Sequence, residues 1–395
     1  MVLLLYYLIL YLLHMPLIAS QSNNDDVPDN PAPYIPRPVD YQGDFRVLHD
    51  ELIQPLDGVD REYYIAIDEI IWDYTQYSTE IPENTAAHFW TTTSPTQVGN
   101  MYYKAVYQEY TDETFTTLKS RPQWQGLLGP ILRAEVGDTL RVHLWNRASH
   151  DFSMHPHGVF YEFEMEGAVY KGALENSSVK PGDNYTYNWL IAARAGPGPK
   201  DGDSLVWGYH SHVHESDIYN GLFGAILVYR PGSLNQAVIA KEVVTALFAI
   251  NENHTPYLTE TVHKLAHHVD LEVVKHNQTA KREFRLSNIK QSINGLIMAE
   301  PKDLVLEQDE SIQWHLLGWG SFNDLQMVSW QQGHVSMFDI PVSQIRLMPA
   351  SFRTVKVTPG IPGTFQFGFL NHESGIEGMN MYYQVEKSPS KKKTN

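Results

Sequence analysis

Apolar and polar residues alternate with a period of two along most of this chain. Tyr63-Tyr-Ile-Ala-Ile-Asp, Leu140-Arg-Val-His-Leu-Trp and Tyr185-Thr-Tyr-Asn-Trp-Leu are three such runs. The period is that of strands with one buried and one solvated face. Turn signals such as Pro181-Gly-Asp, Pro231-Gly-Ser and Pro362-Gly-Thr punctuate the runs. No long stretch with a period of 3.6 stands out. Many short strands joined by Gly/Pro turns predict an all-β chain of the sandwich or barrel kind.

The pattern also repeats. His210-Ser-His-Val-His-Glu-Ser-Asp-Ile-Tyr-Asn-Gly221-Leu-Phe-Gly can be set, without a gap, beside Phe367-Gly-Phe-Leu-Asn-His-Glu-Ser-Gly-Ile-Glu-Gly378-Met-Asn-Met. Upstream, Met154-His-Pro-His-Gly158 matches Ser329-Trp-Gln-Gln-Gly333, and a strand-like run at Leu132 matches one at Leu304. Two copies of one β-domain are the simplest account. The expected division is residues 61–235 and 236–387. Residues 21–60, rich in Pro, Asp and Asn, read as an extended lead-in. Residues 388–395 read as a solvated basic tail.

Leu3 to Ser20 is almost wholly apolar and ends in small residues before a polar run. This reads as a signal peptide over residues 1–20, with no second apolar stretch long enough to span a membrane. Four sequons, at Asn176, Asn184, Asn253 and Asn277, suit passage through a secretory pathway. Secretion to the extracellular space is the expectation. The 29 basic and 46 acidic residues leave a formal charge of −17, which argues against nucleic acid or anionic membrane as partner. There is no cysteine. No disulfide, thiolate nucleophile or thiolate-ligated metal can form within the chain.

The candidate chemistry lies in histidine pairs of the first copy, His155/His157 and His210/His212. Residues i and i+2 of a strand point to one face, so each pair presents two imidazoles side by side. Two such strands facing one space would make a four-imidazole site, and imidazole suits copper, zinc and iron. His214 continues the second row. Among 18 histidines a single His-x-His arises easily. Two pairs at homologous turning points of a repeat are harder to dismiss.

Tyr107-Gln-Glu-Tyr-Thr-Asp-Glu-Thr-Phe, Leu127-Leu-Gly-Pro-Ile-Leu-Arg-Ala-Glu-Val-Gly-Asp, His155-Pro-His-Gly-Val, Tyr209-His-Ser-His and Gly221-Leu-Phe-Gly-Ala-Ile-Leu-Val together resemble the first domain of the ceruloplasmin and hephaestin branch of the multicopper oxidases. The A domains of clotting factors V and VIII share the pattern. The resemblance implies two tandem cupredoxin-like domains, matching the first two of six. It makes His155 a type 2 copper ligand and His157, His210 and His212 type 3 ligands, the first-domain half of a trinuclear cluster. In the gap-free comparison, Trp330, Gln332, Phe367 and Phe369 stand where the second domain would carry the equivalent four. A type 1 site needs a cysteine, and a lone His334 or His372 cannot replace it. Ser204 and Tyr229 stand where the family has a first-domain disulfide. The cation site of relatives, near residues 170–178, is not carried over.

Three functions remain open on the sequence. The first is a secreted protein that binds one or two copper ions without an oxidase cycle. A second is an oxidase or ferroxidase subunit completed by another cupredoxin-domain chain docking on the first domain. The third is a non-catalytic extracellular interaction module.

Overall fold

The computed structural model describes residues 58–388 except 79, 171–177, 322–323 and 370–377, and these lie in one compact unit. The expected signal peptide, most of the lead-in, the basic tail beyond Ser388, Asn176 and His372 fall outside the described residues.

Four sheets make the fold, and they segregate by sequence. The first two use β1 (Asp60–Asp73), β2 (Met101–Tyr110), β3 (Ile131–Glu135), β4 (Thr139–Asn146), β5 (His155–Pro156), β6 (Asn184–Leu190), β7 (Ser204–His210) and β8 (Phe223–Tyr229). Their orders are β2-β1-β4-β6 and β3-β8-β7-β5. The other two use β9 (Glu242–Asn251), β10 (Ile289–Ile293), β11 (Val305–Glu307), β12 (Ile312–Gly318), β13 (Gln326–Trp330), β14 (His334–Met337), β15 (Ile340–Pro341), β16 (Ile345–Leu347), β17 (Ser351–Thr358), β18 (Gly363–Gly368) and β19 (Asn380–Glu386). Their orders are β10-β9-β12-β17-β14-β15 and β11-β19-β18-β13-β16. The protein is all-β in class, as the alternation predicted.

Alternation works residue by residue on β4. Leu140, Val142 and Leu144 are buried, while Arg141, His143 and Trp145 between them are partly exposed. β8 behaves differently, because all seven of its residues are buried. Ile226 and Val228 pack into the core of the first sheet pair. Phe223, Ala225 and Leu227 point the other way and join a cluster with Val244, Ala246 and Leu316 of the second pair. A strand buried on both faces reads as a continuous apolar run. The two halves are thus joined by packed hydrophobic surface and not merely by a linker.

Gly208 on β7 permits that approach. A Cβ there would lie 2.4 Å from the Trp319 ring and 2.7 Å from the Phe352 ring. Both rings come from the second half and reach the face that carries His210.

The sequence reading missed one helical region. Helices α4 (Leu258–Lys264), α5 (Leu271–His276) and α6 (Gln278–Ser287) follow three scattered ones, α1 (Ala86–Thr91), α2 (Asp217–Asn220) and α3 (Gln236–Ile239). Side-chain caps were the available signal. Asp270 accepts from the backbone N–H of Glu272 and Val273, and Asn277 from those of Thr279 and Ala280. α6 is mostly polar, with its apolar residues on one side, and buries only Ala280 and Ser287, so its period of 3.6 is present but short.

Candidate metal centre

Strand pairing brings the histidines together. β5 runs antiparallel to β7 with His155 opposite His210 and Pro156 opposite Tyr209. The His157 N–H continues the ladder to the Gly208 carbonyl at 2.8 Å. Met154 and Tyr209 point into the core of the first sheet pair, so His155, His157 and His210 share the opposite face. Gly158, at φ +75°, turns the chain immediately after His157. A Cβ there would overlap the Trp207 ring, so this turn needs glycine.

His155, His157 and His210 each offer a ring nitrogen, and these nitrogens lie within 4.8 Å of one another. The His212 ring is 5.1 Å from that of His155 and 5.4 Å from that of His210, centroid to centroid. All four residues are partly exposed. His214 does not join them. The strand ends at His210, and His214 sits exposed in the turn that leads into α2. The period-two argument therefore lapses after one step.

Hydrogen bonds set two of the tautomers. His155 Nδ1–H donates to the Glu166 carbonyl and His210 Nδ1–H to the Ser211 carbonyl, each at 2.8 Å. A carbonyl only accepts, so the proton is on Nδ1 and the Nε2 lone pair is free. Such anchoring is what orients ligating imidazoles. His157 Nε2 is buried with no hydrogen-bond partner, a costly arrangement for a polar atom.

Burial first, and the neighbouring imidazoles second, keep these rings neutral. His155 is held below its usual range, His157 is pushed down to about 4 and His210 to about 3. Metal–imidazole bonds are about 2 Å, so two ligands of one ion sit up to roughly 4 Å apart. Small side-chain shifts would close the present spacing on one ion. Neutral rings, with free Nε2 lone pairs on His155 and His210, suit a borderline metal such as copper.

Residues that the sequence reading did not single out hold the loop. Ser211 Oγ donates to Asp217 Oδ2 at 2.6 Å, and the Ser153 N–H donates to Ser211 Oγ at 3.1 Å. Ser153 Oγ accepts from the His212 N–H at 2.9 Å. Burial raises the Asp217 carboxyl pKa. Trp319 and Phe352 form the wall, with the Trp319 ring 5.2 Å from His210 and 5.7 Å from His157. Nothing in a linear reading could have put Trp319 there. Ser204 and Tyr229 do face each other across β7 and β8, and both donate to Glu242, at 3.0 and 2.7 Å.

The second half needs a correction by one position. β13 pairs with β18 through Ser329 opposite Gly368 and Trp330 opposite Phe367, and the Gln331 N–H donates to the Gln366 carbonyl at 2.9 Å. Trp330 and Phe367 face the core, as Pro156 and Tyr209 do. Ser329, Gln331 and Gly368 therefore occupy the places of His155, His157 and His210, and not Trp330, Gln332 and Phe367. For β18 the cause is loop length: residues 211–222 separate the paired ends of one hairpin and residues 369–379 those of the other, twelve against eleven. A gap-free alignment hides that difference. None of the three carries an imidazole, thiolate or carboxylate. His334 is exposed.

The described sequons also differ. Asn184 is exposed, and Asn277 uses its side-chain oxygen as a helix cap. Asn253 Nδ2 already donates to Asn251 Oδ1 and the Arg285 carbonyl, so a glycan there would displace those bonds. No helix among the described residues is long and apolar enough to cross a membrane.

Comparison with known proteins agrees with this geometry. A multicopper oxidase family profile matches residues 123–233. The chain is 33% identical over 347 residues to ferroxidase HEPHL1 of Mus musculus, covering 83% of this chain and 29% of that protein. It is 31% identical to human hephaestin, over 84% and 30% of the two chains, and 31% identical to human ceruloplasmin, over 84% and 32%. The chain thus spans about a third of the length of these relatives. A solved multicopper oxidase superposes with a TM-score of 0.50 at 16% identity, covering 83% of this chain and 89% of that one.

Proposed function

Starting from a chain that carries a multicopper oxidase domain and resembles hephaestin and ceruloplasmin over most of its described length, we propose that it is a secreted copper-binding protein. The observation that carries the reading is the buried, unpartnered His157 Nε2 within a cluster of neutral imidazoles. His155, His157, His210 and His212 would hold one or two copper ions. Bound copper would supply a redox-active Lewis acid. Burial keeps the His155, His157 and His210 rings neutral, and the carbonyls of Glu166 and Ser211 fix the tautomers of His155 and His210. Trp319 and Phe352 shield one side of the site from water.

A full oxidase cycle within this one chain is not part of the reading. Without cysteine there is no thiolate for a type 1 centre, and Ser329, Gln331 and Gly368 supply no second set of imidazoles. An oxidase reaction would need those groups from elsewhere, for example from a second cupredoxin-domain chain docking on the first domain.

The test is metal content. The full chain, expressed in a secretory host with ample copper, is assayed by mass spectrometry beside a His155→Ala/His210→Ala variant. About one or two copper ions on the wild type and none on the folded variant support the proposal. A metal-free wild type, or equal copper on both, overturns it.

A further inference from the structure

On the outer face of the first sheet, away from the histidines, lies a cavity of about 480 Å³ whose wall includes a sequon. Asn184 and Thr186 sit on β6 directly across from Trp145 and His143 of β4. Paired residues of antiparallel strands put their side chains on one face. Asn184 therefore projects beside the partly exposed Trp145 ring. The loop after β2 brings Phe115 to 5.5 Å from Trp145 and 6.0 Å from Tyr64, in edge-on contacts. Tyr64 stacks on His143 at 4.8 Å. The Asn184 side chain makes no hydrogen bond to a described residue, unlike Asn253.

The polar groups are equally placed. His143 Nδ1 bonds to Thr186 Oγ1 at 3.0 Å, and His143 Nε2, buried and without a hydrogen bond, faces Glu62 Oε2 at 3.6 Å. The Glu62 and Glu113 carboxylates stand at the rim. An aromatic floor with a few convergent polar groups is the chemistry of a sugar site. The apolar C–H face of a pyranose covers a ring, and its hydroxyl and acetamide groups take the hydrogen bonds.

The geometry points to an intramolecular carbohydrate subsite: the N-linked glycan on Asn184 folds back and seats its first N-acetylglucosamine on Trp145 and Phe115. The glycan is tethered at the cavity wall, so no bimolecular association cost opposes its seating. This inference rests on the secretory part of the proposed function and on nothing about copper.

The experiment uses the full chain secreted from a mammalian host. Glycopeptide mass spectrometry measures occupancy at Asn184, Asn253 and Asn277, and peptide N-glycosidase trimming is timed on native protein. We expect a glycan on Asn184 that is released roughly two- to twelvefold more slowly than that on Asn277, the range one aromatic stacking contact gives. Denaturation should abolish the difference. Trp145→Ala should speed Asn184 release by the same factor. Phe115→Ala, on the loop, is the second variant should Trp145→Ala fail to be secreted. A bare Asn184 beside a modified Asn277, or equal native trimming rates, overturns the inference. Bare asparagines at all three positions would instead overturn the secretory reading beneath it.

Discussion

Replacing Glu252 by Gln tests how the two halves are bound together. Glu252, just after β9, pairs with Lys104 of β2, and both side chains are fully buried. Lys104 also donates to the Tyr219 carbonyl at 2.6 Å, and the Tyr74 hydroxyl donates to Glu252. A second buried ammonium, Lys290, donates to the carbonyls of Ser287 and Gly99 at 2.6 and 2.9 Å. Burial lowers the pKa of both lysines, and Glu252 opposes that shift. Glu252→Gln keeps the shape and removes the compensating charge. If Lys104 stays charged, an unpaired buried ion costs about 3–5 kcal/mol. If it sheds its proton, folding works against an ordinary lysine pKa near 10.4, about 4.6 kcal/mol at pH 7. Because the wild-type Lys104 pKa is already lowered, these figures are ceilings, and either route predicts a loss of up to about 3–5 kcal/mol at pH 7.

The pH dependence separates the two routes. A lysine neutral when folded and charged when unfolded carries a penalty that is full at low pH and fades as pH rises towards the unfolded value. At pH 9.5 it falls to about 1.2 kcal/mol. Urea unfolding of wild type and variant, followed by near-ultraviolet circular dichroism at pH 7 and 9.5, reads both numbers. A difference below about 1 kcal/mol at pH 7 would refute the argument, since the Glu252 charge would then be doing nothing for the buried lysines.

Two further outcomes follow from the packing. Gly208→Ala puts a methyl into the Trp319 and Phe352 rings. It should destabilise by about 1–3 kcal/mol, lower the melting temperature and weaken copper retention, because the displaced rings are the wall of the histidine site. Unchanged melting would show that the two halves can part there freely. Ser204→Cys/Tyr229→Cys should form a disulfide across β7 and β8, because antiparallel partners lie within bridging distance. Mass spectrometry should show loss of two hydrogens, yet the melting temperature should not rise, since Glu242 loses both hydroxyl donors while remaining buried. Free thiols under oxidising conditions would refute the pairing.

The alternation of Leu140, Val142 and Leu144 with polar neighbours was enough to predict strands, because side-chain direction in a strand follows from the backbone alone. The same rule placed the two imidazoles of each His-x-His on one side, and it failed at His214, where the strand had ended. Absence of cysteine needed no structure: it removed thiolate ligands and disulfides outright. The caps at Asp270 and Asn277 were legible, and so was the one-sided apolar pattern of α6, which its length of 10 residues made too short to stand out. What depended on tertiary structure were contacts across large sequence separation. Only the β13 and β18 ladders showed that Ser329, Gln331 and Gly368 occupy the histidine places, because register is a property of a pair of strands and a one-residue difference in loop length moves it. Only the packing of the two halves brought Trp319 and Phe352 to the imidazoles and joined Lys104 to Glu252. The sequence by itself determined which donor atoms the chain possesses and which face of each strand they take. Their burial, their tautomers and their neighbours were decided by the fold, since desolvation and hydrogen bonding depend on atoms that arrive from distant parts of the chain.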